Sequence, residues 1–181
     1  MKPFNTISLI GMPGAGKSTV GVLLAKMTTL RFVDTDLDIQ VKAAASLQCI
    51  LEQQGYRALR QLEETVLLEL ELDHALVSTG GSVVYSETSM RRLRAAGPVV
   101  YLRVSLPTLS QRIANAPPRG IASDSTQSFA EVFAERTPLY QRYADITIDA
   151  GAGGAEAVTS ATLRELERLA QHWPQRTVEA G

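Results

Sequence analysis

The residues best suited to chemistry stand near the start of the chain, where residues 11–18 read GMPGAGKS. The run matches the phosphate-binding loop pattern G-x-x-x-x-G-K-[ST] at every fixed position. Its glycines let backbone N–H groups surround phosphate oxygens at the start of a helix, where the helix dipole favours an anion. The pattern predicts that Lys17 reaches the β- and γ-phosphates and that the Ser18 hydroxyl ligates Mg²⁺. The nucleotide-binding residues predicted here are Gly11, Gly14, Ala15, Gly16, Lys17, Ser18 and Thr19.

Two carboxylates, Asp34 and Asp36, follow a short apolar stretch at residues 32–33 that predicts a strand. Two positions apart on an extended chain, their side chains would point the same way. Beside a phosphate-binding loop, one carboxylate suits Mg²⁺ or its waters, and the other suits an acceptor hydroxyl. The structural alternative is that Asp36 or Asp38 caps the helix that follows.

Strand and helix patterns alternate along the chain, which predicts an α/β layered fold in a single domain over residues 1–181. Strands are predicted at residues 7–10, 32–33, 75–78, 99–102 and 145–148. Helices are predicted at 17–30, across most of 39–71, and at 88–95, 107–114, 129–143 and 157–169. We expect a flexible turn at 151–154 and a frayed tail at about 174–181.

The stretch from about residue 115 to residue 128 breaks this alternation. It holds a proline pair, a glycine and the polar run 123–126, which make a loop long for a compact domain. The loop has no periodic apolar face, so little burial would hold it still, and we predict a mobile lid. A small chain with a phosphate-binding loop and a lid favours a small-molecule or nucleotide kinase. The N-K-x-D signature of guanine-binding switches does not occur.

Composition argues against several other classes of protein. The 181 residues include 18 lysines and arginines against 19 acids, and a net charge of −1 argues against nucleic acid or an anionic membrane surface as partner. The one cysteine, Cys49, excludes an intrachain disulfide and a multi-cysteine metal site. The sequence shows neither a signal-peptide pattern nor a run of about 20 apolar residues. We therefore expect a cytoplasmic protein, and we expect it to be a monomer.

Several further stretches make the chain similar to the shikimate kinase family from about residue 7 to residue 149. FVDTD at 32–36 resembles the family's F-x-D-x-D strand end, and GYRALRQLE at 55–63 resembles its G-E-x-x-F-R-x-x-E stretch. STGGS at 78–82 resembles the Gly-Gly-Gly turn that replaces a Walker B segment in that family. Arg119 falls at the position of the lid arginine, and RTPLY at 136–140 is similar to the R-x-P-x-Y helix.

The resemblance implies a three-layer α/β/α P-loop kinase fold with a central parallel sheet and a mobile lid. The implied reaction is phosphorylation of shikimate to shikimate 3-phosphate by ATP with Mg²⁺, a step of aromatic amino acid biosynthesis. Ser18 and Asp34 would hold the metal, and Asp36 would bind the acceptor hydroxyls and take the proton. Arg119 would fold over the phosphates and act in catalysis with Lys17 and Asp36. The implied acceptor-binding residues are Asp36, Arg60, Arg136 and the backbone N–H groups of Gly80 and Gly81.

The chain also departs from the family's pattern near the acceptor. The departures are Ser82 for the third glycine, Tyr56 for an acid, Leu59 for an aromatic residue, and Gly120-Ile121 after the lid arginine. They leave open a kinase of another hydroxy or sugar acid such as gluconate. A nucleotide-binding sensor without turnover is a second alternative. From the residues alone, Arg60 suits a pair with Glu63 or Glu64 on a helix surface, and Tyr85 suits a core or surface aromatic.

Overall fold

The computed structural model describes residues 4–116 and 120–173, which form five strands and seven helices. The strands are β1 (Thr6–Ile10), β2 (Arg31–Asp34), β3 (Ala75–Ser78), β4 (Val99–Arg103) and β5 (Ile146–Asp149). The helices are α1 (Lys17–Thr28), α2 (Thr35–Ala43), α3 (Leu47–Glu69), α4 (Glu87–Ala96), α5 (Leu106–Ala114), α6 (Phe129–Tyr143) and α7 (Ala155–Ala170). A short 3₁₀ turn at Val83–Tyr85 was not predicted.

The strands form one parallel sheet in the order β2-β3-β1-β4-β5. β1 and β3 are buried along their whole lengths, as expected for apolar runs covered on both faces. Helices flank the sheet, with α1 and α7 packed together and α4 and α6 against β1 and β4, which confirms the predicted three-layer α/β/α fold. The carboxyl ends of the parallel strands meet at one edge, where α/β proteins bind their ligands. The loop after β1, the acids after β2 and the glycine turn after β3 therefore converge.

The junction of β2 and α2 differs from its prediction. α2 begins at Thr35 directly after the strand, so Asp36 lies in the first helical turn rather than on extended chain. Asp34 is the N-cap, and its Oδ1 accepts a hydrogen bond of 3.1 Å from the Asp36 backbone N–H. The prediction of extended chain through both carboxylates is therefore wrong, but both residues still border one cavity together with Ser18. A capping acid is present, but it is Asp34 rather than Asp36 or Asp38.

The helix predicted across most of residues 39–71 is two helices. α2 ends at Ala43, and its C-cap residue, Ala44, has a φ of 49° in the left-handed region. Ser46 caps α3 by accepting from the Cys49 N–H at 3.2 Å. α3 itself is kinked at Gly55, where φ is 80°. The kink falls just before the stretch that carries Arg60, so it sets the direction from which this side chain approaches the sheet.

The predicted lid, residues 115–128, is only partly described. Residues 117–119, and with them Arg119, lie outside the described residues, as does the predicted tail at 174–181. Within the described part, a Cβ on Gly120 would stand 2.5 Å from the Leu47 carbonyl oxygen, so the segment passes close to the start of α3. Ala122 is buried in a small apolar cluster with Ile39 and Ile50. This burial was not expected from the polar sequence.

None of the helices in the described part of the chain is both long and apolar enough to span a bilayer.

Candidate active site

The loop after β1 has the backbone shape that phosphate binding requires. Gly14 and Gly16 have φ values of 83° and 91°, a region that favours glycine. α1 begins at Lys17, so the first N–H groups of this helix have no partner within the helix. A cavity at this edge of the sheet is lined by Gly16, Lys17, Ser18 and Thr19. The arrangement supplies N–H donors and the positive end of a helix dipole to an anion.

Lys17 is held over its own loop. Its side chain is only 9% exposed, and Nζ donates to the Gly11 carbonyl at 2.8 Å and to the Met12 carbonyl at 3.1 Å. Burial lowers the pKa of Lys17 to about 8, while the charges of Asp36 and Asp34 act in the opposite direction. The ammonium is therefore mostly charged at neutral pH and is poorly solvated, which strengthens its attraction for an anion in the loop.

The cavity lined by the phosphate-binding loop, called here the main cavity, has a volume of about 310 Å³. Of the predicted site residues, it is lined by Gly14, Gly16, Lys17, Ser18, Thr19, Asp36, Gly81 and Arg136. Asp34 lies outside its lining and borders an adjoining cavity together with Ser18 and Asp36. Arg60 lies outside it as well and borders a side cavity of about 290 Å³. The two cavities meet at Glu63 and Ser82, which line both.

The glycine turn after β3 allows other groups to approach closely. A Cβ on Gly80 would stand 1.9 Å from Glu63 Oε1, and a Cβ on Gly81 would stand 3.1 Å from Arg136 Nη1. Glycine at these positions therefore makes room for one carboxyl and one guanidinium. The Gly80 N–H donates to Thr35 Oγ1 at 2.9 Å. This N–H was predicted to donate to the acceptor substrate, but in this structure it donates to a side chain of the protein itself.

Arg60 on α3 and Arg136 on α6 meet at one carbonyl oxygen. Ala122 O accepts from Arg60 Nε at 3.0 Å and from Arg136 Nη2 at 2.8 Å. Arg136 is 1% exposed, and its Nε donates to Tyr85 Oη at 3.4 Å. Within residues 4–116 and 120–173, neither guanidinium has a carboxylate at ion-pair distance, so the helix-surface pairing considered for Arg60 is not seen. Two cations held by neutral oxygens form a site for an anion.

The residues near Ser18 fit a magnesium ion bound with a nucleotide. Ser18 Oγ lies 3.4 Å from Ser78 Oγ, and the Asp34 carboxylate borders the same cavity as Ser18. These are oxygen donors, which Mg²⁺ prefers. Among the described residues, no cluster of three or more His, Cys, Asp or Glu could hold a metal alone. Phosphate oxygens and water would have to complete the coordination, which is usual for Mg²⁺ in kinases.

Glu63 is a site residue that the sequence interpretation missed. Its carboxyl reaches both cavities, and within the described chain Oε2 is buried without a hydrogen-bond partner. Burial, followed by the charge of Asp36, raises the pKa of Glu63 to about 8, so the carboxyl holds a proton at neutral pH. The signal was present in the sequence, because Glu63 follows Leu59 by four positions and precedes Val66 by three on the buried face of α3.

Replacing Glu63 with glutamine should stabilise the free protein increasingly as the pH rises from about 4.5 to about 8. In this window the folded protein keeps a proton that the unfolded chain has lost, because the pKa of Glu63 is raised on folding. The free energy of unfolding of the wild type therefore falls as the pH rises, whereas that of the glutamine variant does not, because an amide does not titrate. We expect Glu63→Gln to raise the free energy of unfolding by about 2 kcal/mol at pH 8 and by much less at pH 5. Urea unfolding at both pH values measures this, and an equal difference at both would contradict it.

Ser82 stands where the family's pattern has a third glycine, and the structure accommodates it. Its φ of −93° is open to any residue, so the serine adds no backbone strain. The side chain is buried, and Oγ has no hydrogen-bond partner in the described chain. The departure therefore adds one hydroxyl to the wall between the two cavities.

Arg112, on α5, is a second residue that the sequence interpretation missed. It donates to the Gly14 carbonyl at 3.2 Å and to the Ala150 carbonyl at 3.0 Å, and so ties the phosphate-binding loop to the residue after β5. Arg112 also lines a cavity of about 220 Å³ with Gly153 and Gly154. These glycines belong to the turn predicted at 151–154. The cavity adjoins the phosphate-binding loop and extends the site away from Arg60 and Arg136.

Comparison with known proteins points to one family. The family model described as shikimate kinase matches residues 13–167. A shikimate kinase of Xanthomonas axonopodis pv. citri is 38% identical over 177 residues, which cover 96% of each chain. A solved shikimate kinase from Acinetobacter baumannii in complex with shikimate superposes with a TM-score of 0.82 at 28% identity, covering 92% of this chain and 95% of that one. A gluconokinase from Sinorhizobium meliloti reaches a TM-score of 0.51 at 16% identity, covering 94% of this chain and 95% of that one, which shows a shared fold alone.

Proposed function

Because the chain belongs to the shikimate kinase family, we propose that it transfers the γ-phosphoryl group of ATP to a hydroxyl of shikimate. The product would be shikimate 3-phosphate. One observation carries the proposal: Lys17 of the phosphate-binding loop and the buried Arg136 line the same cavity, together with Asp36. A cavity with a phosphate-binding end and a buried guanidinium suits the joint binding of a nucleotide and an acidic acceptor.

On the nucleotide side, the loop N–H groups and Lys17 would bind the phosphates. Charge develops on the transferred phosphoryl group and the leaving oxygen, so a fixed cation in a poorly solvated site stabilises the transition state more than it would in water. Ser18 and Asp34 would hold Mg²⁺, which supplies further positive charge when bound. The base and ribose would extend toward Arg112 and the cavity beside Gly153.

On the acceptor side, Asp36 would accept hydrogen bonds from the hydroxyl groups. The attacking oxygen forms a bond to the γ-phosphorus as the bond from that phosphorus to ADP breaks, and the hydroxyl proton passes to Asp36. Arg60 and Arg136 would hold the carboxylate of the acceptor, because a guanidinium matches the planar group with parallel hydrogen bonds. Of the glycine turn, Gly81 lines the main cavity, and Gly80 contributes by leaving room for Glu63.

We also propose that residues 115–128 act as a lid and that Arg119 contacts the phosphates when it closes. The Ala122 carbonyl supports this, because it bonds to both acceptor arginines and so links the segment to the acceptor site. Amide hydrogen exchange of residues 120–128 should slow by about tenfold or more when nucleotide and shikimate are both bound. Strong protection that is the same in the free and the bound protein would contradict a lid.

The proposed function is tested by supplying Mg-ATP with shikimate, quinate, gluconate and a neutral polyol in parallel. Phosphorylation of shikimate with the highest kcat/KM supports it. Preference for gluconate would agree with a carboxylate-binding site but would favour the alternative acceptor. Nucleotide binding without turnover on any acceptor would favour the sensor.

The remaining expectations, a cytoplasmic monomer that binds no nucleic acid, belong to the same proposal. The net charge of −1 supports them in part, because a nucleic-acid-binding surface needs an excess of positive charge. Analytical ultracentrifugation at assay concentration decides between the mass of one chain and that of a dimer.

A further inference from the structure

Tyr85 contacts both arginines of the acceptor site. Its ring centroid lies 3.8 Å from Arg60 Cζ, a stacking distance, and 5.3 Å from Arg136 Cζ. Its hydroxyl oxygen accepts from Arg136 Nε at 3.4 Å. One side chain therefore touches two guanidinium groups that come from different helices.

The Tyr85 hydroxyl also interacts with Glu135. A hydrogen bond from this hydroxyl is the largest cause that lowers the pKa of Glu135, and Gln127 Nε2 donates to Glu135 Oε2 at 2.9 Å. The backbone is fixed as well, because the Tyr85 N–H donates to the Ser82 carbonyl at 3.0 Å in the 3₁₀ turn. The ring thus has a defined position before any ligand binds.

Two guanidinium groups held close together repel each other and sit on long, flexible side chains. An aromatic face attracts a cation, and a fixed hydroxyl limits the rotamers of its partner, so both lower the cost of holding the arginines ready. Resting on the proposed function, we propose that Tyr85 is a positioning residue for the acceptor carboxylate. The ring holds the Arg60 guanidinium in place by stacking, and the hydroxyl holds Arg136 by a hydrogen bond.

The test compares shikimate with its neutral carboxamide in the wild type and in two variants of the full chain. Tyr85→Leu removes ring and hydroxyl and should raise the KM for shikimate about 10- to 50-fold. Tyr85→Phe removes the hydroxyl alone and should raise it about three- to tenfold. The KM for ATP and the dissociation constant of the carboxamide should change less than about twofold, because neither ligand uses the carboxylate site.

Tyr56→Leu is the matched control. The Tyr56 ring lies 5.0 Å from Arg60 Cζ, farther than that of Tyr85, and has no ring contact with Arg136 in the described chain. Its effect on the KM for shikimate should stay below about threefold. Thermal unfolding checks each variant, and if Tyr85→Leu does not fold, Tyr85→Phe decides alone.

The outcomes separate this inference from the proposed function. A wild type that binds shikimate and the carboxamide equally would overturn the carboxylate site, and the proposed acceptor with it. A wild type that prefers the acid, with Tyr85 variants that keep the full preference, would overturn only the role of Tyr85. If a Tyr85 variant weakens the binding of shikimate and of the carboxamide equally, the role of Tyr85 is structural and the inference is likewise overturned.

Discussion

Replacing Lys17 with alanine should lower kcat for phosphoryl transfer by about 10³-fold or more. The ammonium is the one lysine cation in the lining of the main cavity, and it is fixed by two carbonyls of the loop. Burial disfavours its charged form, as the lowered pKa of Lys17 shows, so its removal relieves a cost to folding. We therefore expect the melting temperature to change little while turnover is lost. Single-turnover phosphoryl transfer and thermal unfolding measure the two quantities.

Lys26→Ala is the matched control, because Lys26 lies in the last turn of the same helix and is exposed. This variant should change the free energy of unfolding by no more than about 0.5 kcal/mol and kcat by no more than about twofold. A folded Lys17→Ala variant with near wild-type turnover would remove Lys17 from catalysis and with it the phosphate-binding role of the loop.

The parts of this fold that could be predicted are those with a local pattern. The phosphate-binding loop could be predicted from its own residues, because the positive φ values at Gly14 and Gly16 and the start of α1 follow from the local sequence. The strands of the sheet were predicted to within one or two residues. The apolar runs of β1, β3 and β4 mark strands buried on both faces, whereas β2 and β5 are partly exposed.

The parts that could not be predicted depend on contacts between distant segments. Arg60 and Arg136 stand 76 positions apart (136 − 60), and only the family resemblance linked them before the structure placed both at the Ala122 carbonyl. Tyr85 gave no signal of its own, because its role follows from a 3₁₀ turn that no periodic pattern predicts. Asp34 became a cap because α2 begins one residue after it, and helix boundaries are the least certain part of a sequence prediction.

Replacing Arg136 with methionine should separate function from stability most clearly. Methionine keeps much of the side-chain volume and removes the charge. Within the described chain the guanidinium has no carboxylate partner, so the free protein loses no ion pair, and its melting temperature should stay the same or rise. The acceptor carboxylate, in contrast, would lose one of the two cations that hold it. The expected loss in kcat/KM for shikimate is about 2 to 5 kcal/mol, or about 30- to 5,000-fold.

The control for this variant is Arg142→Met, which removes an exposed arginine from the same helix and should leave kcat/KM within about twofold. The decisive comparison is again between shikimate and its carboxamide. Loss of the carboxylate preference in Arg136→Met, with an unchanged KM for ATP, is expected, because the loop around Lys17 is built without Arg136. If the variant is less stable than the wild type and still prefers shikimate to the carboxamide, Arg136 stabilises the fold and does not bind the carboxylate. In that case Arg60 would hold the carboxylate alone.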